Sequence, residues 1–272
     1  MRDFLEIERV DEVTWRFRVT GRLITPGNFL FGGCGLAAGV VALEAASERP
    51  TIYAAAHYLS FAPLDSEVEV RVNLAAVGRR VTQARATATV EGREILTVNA
   101  ALGRGALNAP TPWVVMPDVP APEECPTRSA PRFVEQSVFD HIETRIARGR
   151  DFVDLDGTPG SPNSALWARV PNHLEPSAAT LAIFGDLLAS GASEPLGRRT
   201  IGQSLDNTIR IADLAPTEWV LVDTHMHALV RGFSQGTAFL WSRDGSLLAT
   251  ASQSMSAKLW DPPAPGNVEG LV

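Results

Sequence analysis

The sequence predicts an α+β protein that uses one layout twice: a glycine-punctuated, alanine-rich helix followed by strands that wrap around it as an antiparallel sheet. The two copies are expected over residues 32–103 and 177–260. Their last hairpins carry matching turn dipeptides, Glu91-Gly92 and Asp244-Gly245. Between the copies lies a connector with Pro110, Pro112, Pro117, Pro120, Pro122, Pro126 and Pro131, and proline cannot donate to the ladder of a central strand. These observations divide the chain into units 1–104 and 132–272, joined by a proline-rich connector over 105–131.

Each element has a local reason. Residues 13–22 open the first copy as a strand. The helix over 35–46 sets Leu36, Val40, Val41 and Leu43 among alanines and glycines, so it reads as buried on most sides. Glycines at 32, 33, 35 and 39 leave room for a backbone to approach it. A strand over 52–61 precedes the clearest one, 67–74, where Val68, Val70, Val72 and Leu74 alternate with Glu67, Glu69, Arg71 and Asn73. Gly78 marks a turn into 83–91, with Ala84, Ala86, Ala88 and Val90 on one side, and Glu91-Gly92 turns into 95–102. In the connector, Trp113, Val114 and Val115 are expected to pin the chain to the surface. Strands over 133–145 and 165–170 begin the second copy. Ser177 then caps a helix over 178–190 that stops at Gly191, and strands follow over 200–212, 219–231, 233–243 and 247–259.

Composition sets broad bounds. Two half-size copies sharing one sheet system fit 272 residues. Hydrophobic residues at 45% and charged residues at 20% are ordinary for a soluble globular protein. The start Met1-Arg2-Asp3-Phe4-Leu5-Glu6 places acids where a signal peptide needs an apolar run, and no stretch approaches the ~20 apolar residues of a membrane span. A cytoplasmic location is expected. A net charge of −7 speaks against a nucleic-acid partner, which needs a basic face. A small anionic ligand needs only local arginines. Arg79-Arg80 and Arg231 are candidates, set against their plainer reading as solvated surface residues. Cys34 and Cys125 are too few for a disulfide framework or a metal site.

The two copies differ in their polar residues. Asp186 is the only charged residue in its helix, with small neighbours one turn away that leave room for a ligand. Gln253 falls in phase with Ala249, Ala251, Met255 and Ala257, the apolar face of the last strand, where an amide must find partners or cost stability. Ser204 and Asp206 are expected on one strand face, which Thr208 and Arg210 continue as ordinary decoration. His225 and His227, with Asp223 beside them, have the spacing of a metal pair but no evident third ligand. Cys34, near a helix start, is weighed as a nucleophile against a buried structural thiol.

Taken in order, Arg231-Gly232-Phe233, Gln235-Gly236, Asp244-Gly245, Leu247, Ala249 and Gln253 resemble the C-terminal signature of the acyl-CoA thioesterase II family. Ser204-Leu205-Asp206 and Trp219 belong to the same pattern. In the first copy, Phe31-Gly32-Gly33, Phe61-x-Pro63, Gly78-Arg79 and Glu91-Gly92 resemble the family's N-terminal half. The resemblance implies a double hotdog, with two helices each wrapped by a sheet and the sheets joined edge to edge. It implies hydrolysis of acyl-CoA by water, with Asp186 as base and Ser204 and Gln253 as its catalytic partners. Gly33, Cys34, Arg79, Arg231 and Gly232 are taken as substrate-binding, with an oxyanion site at the Gly33-Cys34 amides. No metal or cofactor is required, and a homodimer is left open. Cys34 stands where the family commonly has glutamine, Ser204 where it has threonine, and Ser254 where it often has glutamate. The rival readings are a hydratase or dehydratase of the same fold and a non-catalytic acyl-CoA binder. The hydratase pattern of Asp, then Asn-Pro and His, is absent after Phe184-Gly185-Asp186.

Overall fold

The computed structural model describes residues 1–107, 113–129, 136–171 and 176–260. The first half comprises helix α1 (Arg2–Leu5), strands β1 (Glu8–Arg9) and β2 (Thr14–Arg18), the long helix α2 (Gly32–Ser47), and strands β3 (Thr51–Tyr58), β4 (Glu67–Val77), β5 (Val81–Val90) and β6 (Arg93–Gly103). The second comprises β7 (Glu143–Arg148), β8 (Asn163–Arg169), helix α3 (Ala178–Gly185), helix α4 (Ser193–Leu196), β9 (Thr200–Ile211), β10 (Val220–Val230), β11 (Phe233–Ser242) and β12 (Leu247–Leu259).

These strands form one antiparallel sheet in the order β1-β2-β4-β5-β6-β3-β9-β12-β11-β10-β8-β7. Read inward from either outer edge, the connectivity is the same. The halves meet where β3 pairs with β9, Tyr53 opposite Arg210 and His57 opposite Asp206.

Local pattern explains the layers. In β4, Val68, Val70 and Val72 are buried while Glu67, Arg71 and Asn73 are exposed, so one face meets a helix and the other water. Helix α2 packs on β3 to β6, α3 packs on β9, β11 and β12, and the two helices pack on each other. Every residue of α3 is buried. The scarcity of charge and bulk in both helices lets the sheet close around them. Leu36, Val98, Leu181 and Ile209 belong to one apolar core that runs through both halves.

Some expected elements differ. The helix expected over 178–190 is α-helical only to Gly185 and then tightens into a 3₁₀ segment, Asp186–Ser190. The strand expected over 133–145 begins only at Glu143, because Ser137 and Asp140 close a capping box around a 3₁₀ turn at Val138–Asp140. Its first residues, 133–135, lie outside the described residues, as do Pro110, Pro112 and Pro131 of the connector. Trp113 and Val115 do not pin the connector, being 94% and 90% exposed. That work falls to Met116, Val119 and Cys125, packed against Trp167, Trp219 and Trp241. The Trp167 indole N–H also donates to the Pro120 carbonyl at 2.9 Å.

One sheet and one core make the halves a single folding unit. Leu36→Ala and Leu181→Ala, one in each half and both fully buried, should each cost about 2–5 kcal/mol. In urea denaturation followed by tryptophan emission, each should shift the same single transition. Two transitions, of which each variant moves only one, would show that the halves fold separately.

Candidate active site

Helix α2 begins at Gly32 and Gly33, and its N-cap residue Phe31 supplies no capping side chain. The first amides of a helix have no intrahelical acceptor. Here the Gly33 N–H is satisfied across the core, donating to Asp186 Oδ2 at 2.7 Å. A Cβ on Gly33 would lie 2.9 Å from both Asp186 Cβ and Ile183 Cα, so the glycine is what permits this approach. The positive end of the α2 dipole faces the carboxylate.

Asp186 is 2% exposed. Its Oδ1 accepts from Gln253 Nε2 at 2.6 Å and from Asn207 Nδ2 at 3.1 Å. Gln253 Nε2 also donates to Ser204 Oγ at 2.6 Å. Asp186, Ser204 and Gln253 therefore meet, from one helix and two neighbouring strands. Burial pushes the Asp186 pKa up from 3.8 to about 6, while the donors Gly33, Gln253, Asn207 and Ser204 hold it from rising further.

A β-bulge in β9 produces part of this geometry. The ladder to β12 pairs Ser254 with Asp206 but Met255 with Ser204, leaving Leu205 as the extra residue. Alternation therefore changes phase, and Ser204 turns to the helix side along with Asn207 and Ile209. Ser204 and Asp206 do not share a face as expected. Asp206 instead accepts from the Ser254 amide at 2.8 Å. Asn207 was missed in the sequence, although it sits in phase with Ile209 and Ile211, as Gln253 does with its apolar neighbours. Tyr58 was missed as well.

Asp186 and Ser204 line a cleft of about 1200 Å³, together with Gly32 and Tyr58. Phe29, Phe31, Phe61, Leu96 and Phe139 give it an apolar wall, and Arg128 and Lys258 contribute cations. Among the described residues, the expected Arg79, Arg231 and Gly232 are not on this wall. Arg231 and Gly232 have φ of 56° and 79°, and Glu91 and Gly92 have 50° and 79°. Both pairs are the left-handed residues of two-residue hairpins, which accounts for Arg231-Gly232 without a ligand. Arg79 lies exposed at the β4–β5 turn.

Cys34 is not at the cleft either. It is fully buried in the core, and burial raises its thiol far above the ordinary range, which removes it as a nucleophile. Its amide donates to the Phe31 carbonyl at 3.0 Å. With the Gly33 amide held by Asp186, neither member of the expected oxyanion pair is free for substrate. His225 bonds Asp223 at 2.9 Å and His227 bonds Thr237 at 3.1 Å. Among the described residues, no three metal-ligating side chains cluster, and no helix is long and apolar enough to cross a membrane.

The fold is that of hotdog proteins, and comparison with known proteins places the chain in a family of thioester hydrolases. Residues 21–103 match the acyl-CoA thioesterase N-terminal domain, and residues 122–257 match the acyl-CoA thioesterase C-terminal domain. A protein of Novosphingobium aromaticivorans described as a thioesterase is 31% identical, with 92% of this chain and 97% of that one covered and a TM-score of 0.81. A hotdog-fold protein from Alicyclobacillus acidocaldarius shares the fold at 21% identity, 97% and 98% coverage and a TM-score of 0.84. The acyl-CoA thioesterase II TesB2 of Mycobacterium marinum does so at 18% identity, 96% and 98% coverage and a TM-score of 0.74. No curated protein matches this chain in sequence. The chain belongs to the acyl-CoA thioesterase family.

The raised Asp186 pKa links stability to pH. A carboxyl that titrates at about 6 when folded and near 3.8 when unfolded favours the folded state fully below pH 3.8, and that contribution is lost as pH rises through 6. Relative to Asp186→Asn, the wild type should lose roughly 3 kcal/mol of stability between about pH 3 and pH 7. Thermal or urea melts of both proteins across this range measure it. A pH-independent difference would mean that Asp186 ionises normally.

Proposed function

We propose that the protein hydrolyses acyl-CoA thioesters by direct attack of a water molecule that Asp186 activates. The observation that carries this reading is the unequal use of the two carboxylate oxygens. Oδ1 accepts from two side-chain amides, whereas Oδ2 accepts from the Gly33 amide. A carboxylate oxygen has two acceptor sites, so Oδ2 keeps one for the proton of a water in the cleft. Gln253 joins Asp186 to Ser204, and the Ser204 hydroxyl beside the carboxylate helps to orient that water.

The reaction follows from these positions. The water oxygen bonds to the thioester carbonyl carbon as its proton passes to Asp186, and the carbonyl π pair moves onto oxygen. When that pair returns, the C–S bond breaks, and the CoA thiolate takes the proton back from Asp186. A cleft of about 1200 Å³ exceeds the ~300–1,000 Å³ usual for small-molecule pockets, which suits a long thioester. Its aromatic wall suits the acyl chain, and Arg128 and Lys258 suit the phosphates of CoA. We take residues 1–104 and 132–272 as the two units of a double hotdog, with 105–131 as their connector.

Free-thiol release across a series of acyl-CoA chain lengths tests the activity and reads the preferred chain. Asp186→Asn should lower kcat by about 10²–10⁴, because an amide cannot take the proton. Ser204→Ala should cost less, since that hydroxyl only orients water; a greater loss at Ser204, or an acyl group trapped on it, would replace the mechanism with a covalent one. In the wild type, kcat/KM should rise with pH through about 6 as Asp186 ionises. A rate that is flat from pH 5 to pH 8 would reassign the base.

A further inference from the structure

The reading of Asp186 as base needs a donor for the developing oxyanion other than the Gly33 and Cys34 amides, which are both engaged. We propose that the Tyr58 hydroxyl is that donor and contacts the thioester carbonyl oxygen during the reaction. This rests on the assignment of Asp186 as base.

Tyr58 is the last residue of β3, at the seam between the two halves of the sheet. It lines the same cleft as Gly32, Asp186 and Ser204. A Cβ built on Gly32 would lie 3.1 Å from the phenol oxygen and 3.0 Å from Asp186 Oδ2, so both oxygens border one point at the start of α2. The phenol oxygen is buried and has no hydrogen-bond partner. A buried hydroxyl without a partner is a net cost to folding, and replacing tyrosine by phenylalanine would remove it. Its retention beside a catalytic carboxylate calls for a partner that arrives with substrate.

The chemistry of the group fits this role. Burial, reinforced by the negative charge of Asp186, holds the phenol well above its ordinary pKa. It therefore stays neutral and keeps its proton across the range in which Asp186 ionises. As water adds to the carbonyl carbon, negative charge gathers on the carbonyl oxygen, and the Tyr58 O–H donates a hydrogen bond to it without transferring the proton. When the C–S bond breaks, the carbonyl re-forms and the bond weakens again. A donor that is dry and fixed beforehand favours the transition state over the ground state. Asn207 acts on the phenol as a hydrogen-bonding neighbour and draws its pKa down against burial, and its amide oxygen is also unpartnered, but no bond of full hydrogen-bond geometry joins the two.

Tyr58→Phe and Asp186→Asn, made in the full chain, test the proposal. Acyl-CoA hydrolysis is followed by free-thiol release over a pH series, and thermal melts are taken alongside. For Tyr58→Phe, kcat should fall by about 10²–10³, with KM within about threefold, the pH midpoint unchanged and the melting temperature equal or higher. A loss of less than about threefold in kcat overturns the proposal. So does a loss accompanied by a displaced pH midpoint, which would make Tyr58 a positioning residue acting on Asp186 through Asn207. An active Tyr58→Phe beside an inactive Asp186→Asn overturns the oxyanion role alone. An active Asp186→Asn overturns the base assignment and this proposal with it.

Discussion

The hydrogen bond from the Gly33 amide to Asp186 is the contact on which the site depends. It forms only if the start of α2 can come against α3, which needs glycine at positions 32 and 33. It forms only if a carboxylate is carried into the apolar core between the two helices. The magnitudes decide what that carboxylate becomes. A charge-assisted hydrogen bond is worth roughly 1.5–3 kcal/mol, and Asp186 has several donors, yet its pKa still stands near 6. Desolvation therefore outweighs the donors. The result is an acid held ionised near neutrality, with a higher affinity for protons than an ordinary aspartate. Such a group suits base catalysis, and the protein accepts a stability cost to keep it.

The frame is repeated, but the site is not. The strand order reads the same from both outer edges, and α2 and α3 occupy corresponding places. The polar groups break this symmetry. The 3₁₀ segment that continues α3, with its sheet, supplies Asp186, Asn207, Ser204 and Gln253, whereas α2 and its sheet supply Gly32, Gly33 and Tyr58. One helix presents its side-chain acid and the other presents its N-terminus.

Much of this was legible in the sequence, for identifiable reasons. Period-two alternation marks 67–74 and 83–91 because their two faces meet different solvents. Gln253 stood out because an amide interrupts an otherwise apolar face, and the same logic applied to Asn207 would have found it. The bulge at Leu205 was not legible, since an extra residue leaves no mark in composition, and it is what separates Ser204 from Asp206. Arg231-Gly232 misled for the opposite reason. A motif repeated with the fold can record a turn's backbone conformation rather than a ligand. Tyr58 was invisible because its meaning lies in a missing partner, which only three-dimensional packing reveals.

The pairing of β3 with β9 has a consequence for how such a protein can change. Tyr58 and Ser204 lie on opposite sides of that seam, near the pair formed by His57 and Asp206. A slip of two residues would preserve which side chains face inward, and so most of the burial, yet it would carry Tyr58 roughly 7 Å along the strand. Stability alone would tolerate such drift far better than catalysis would. Selection for turnover thus acts on the alignment of the two halves, and a lineage released from that selection would be free to keep the shell while losing the enzyme.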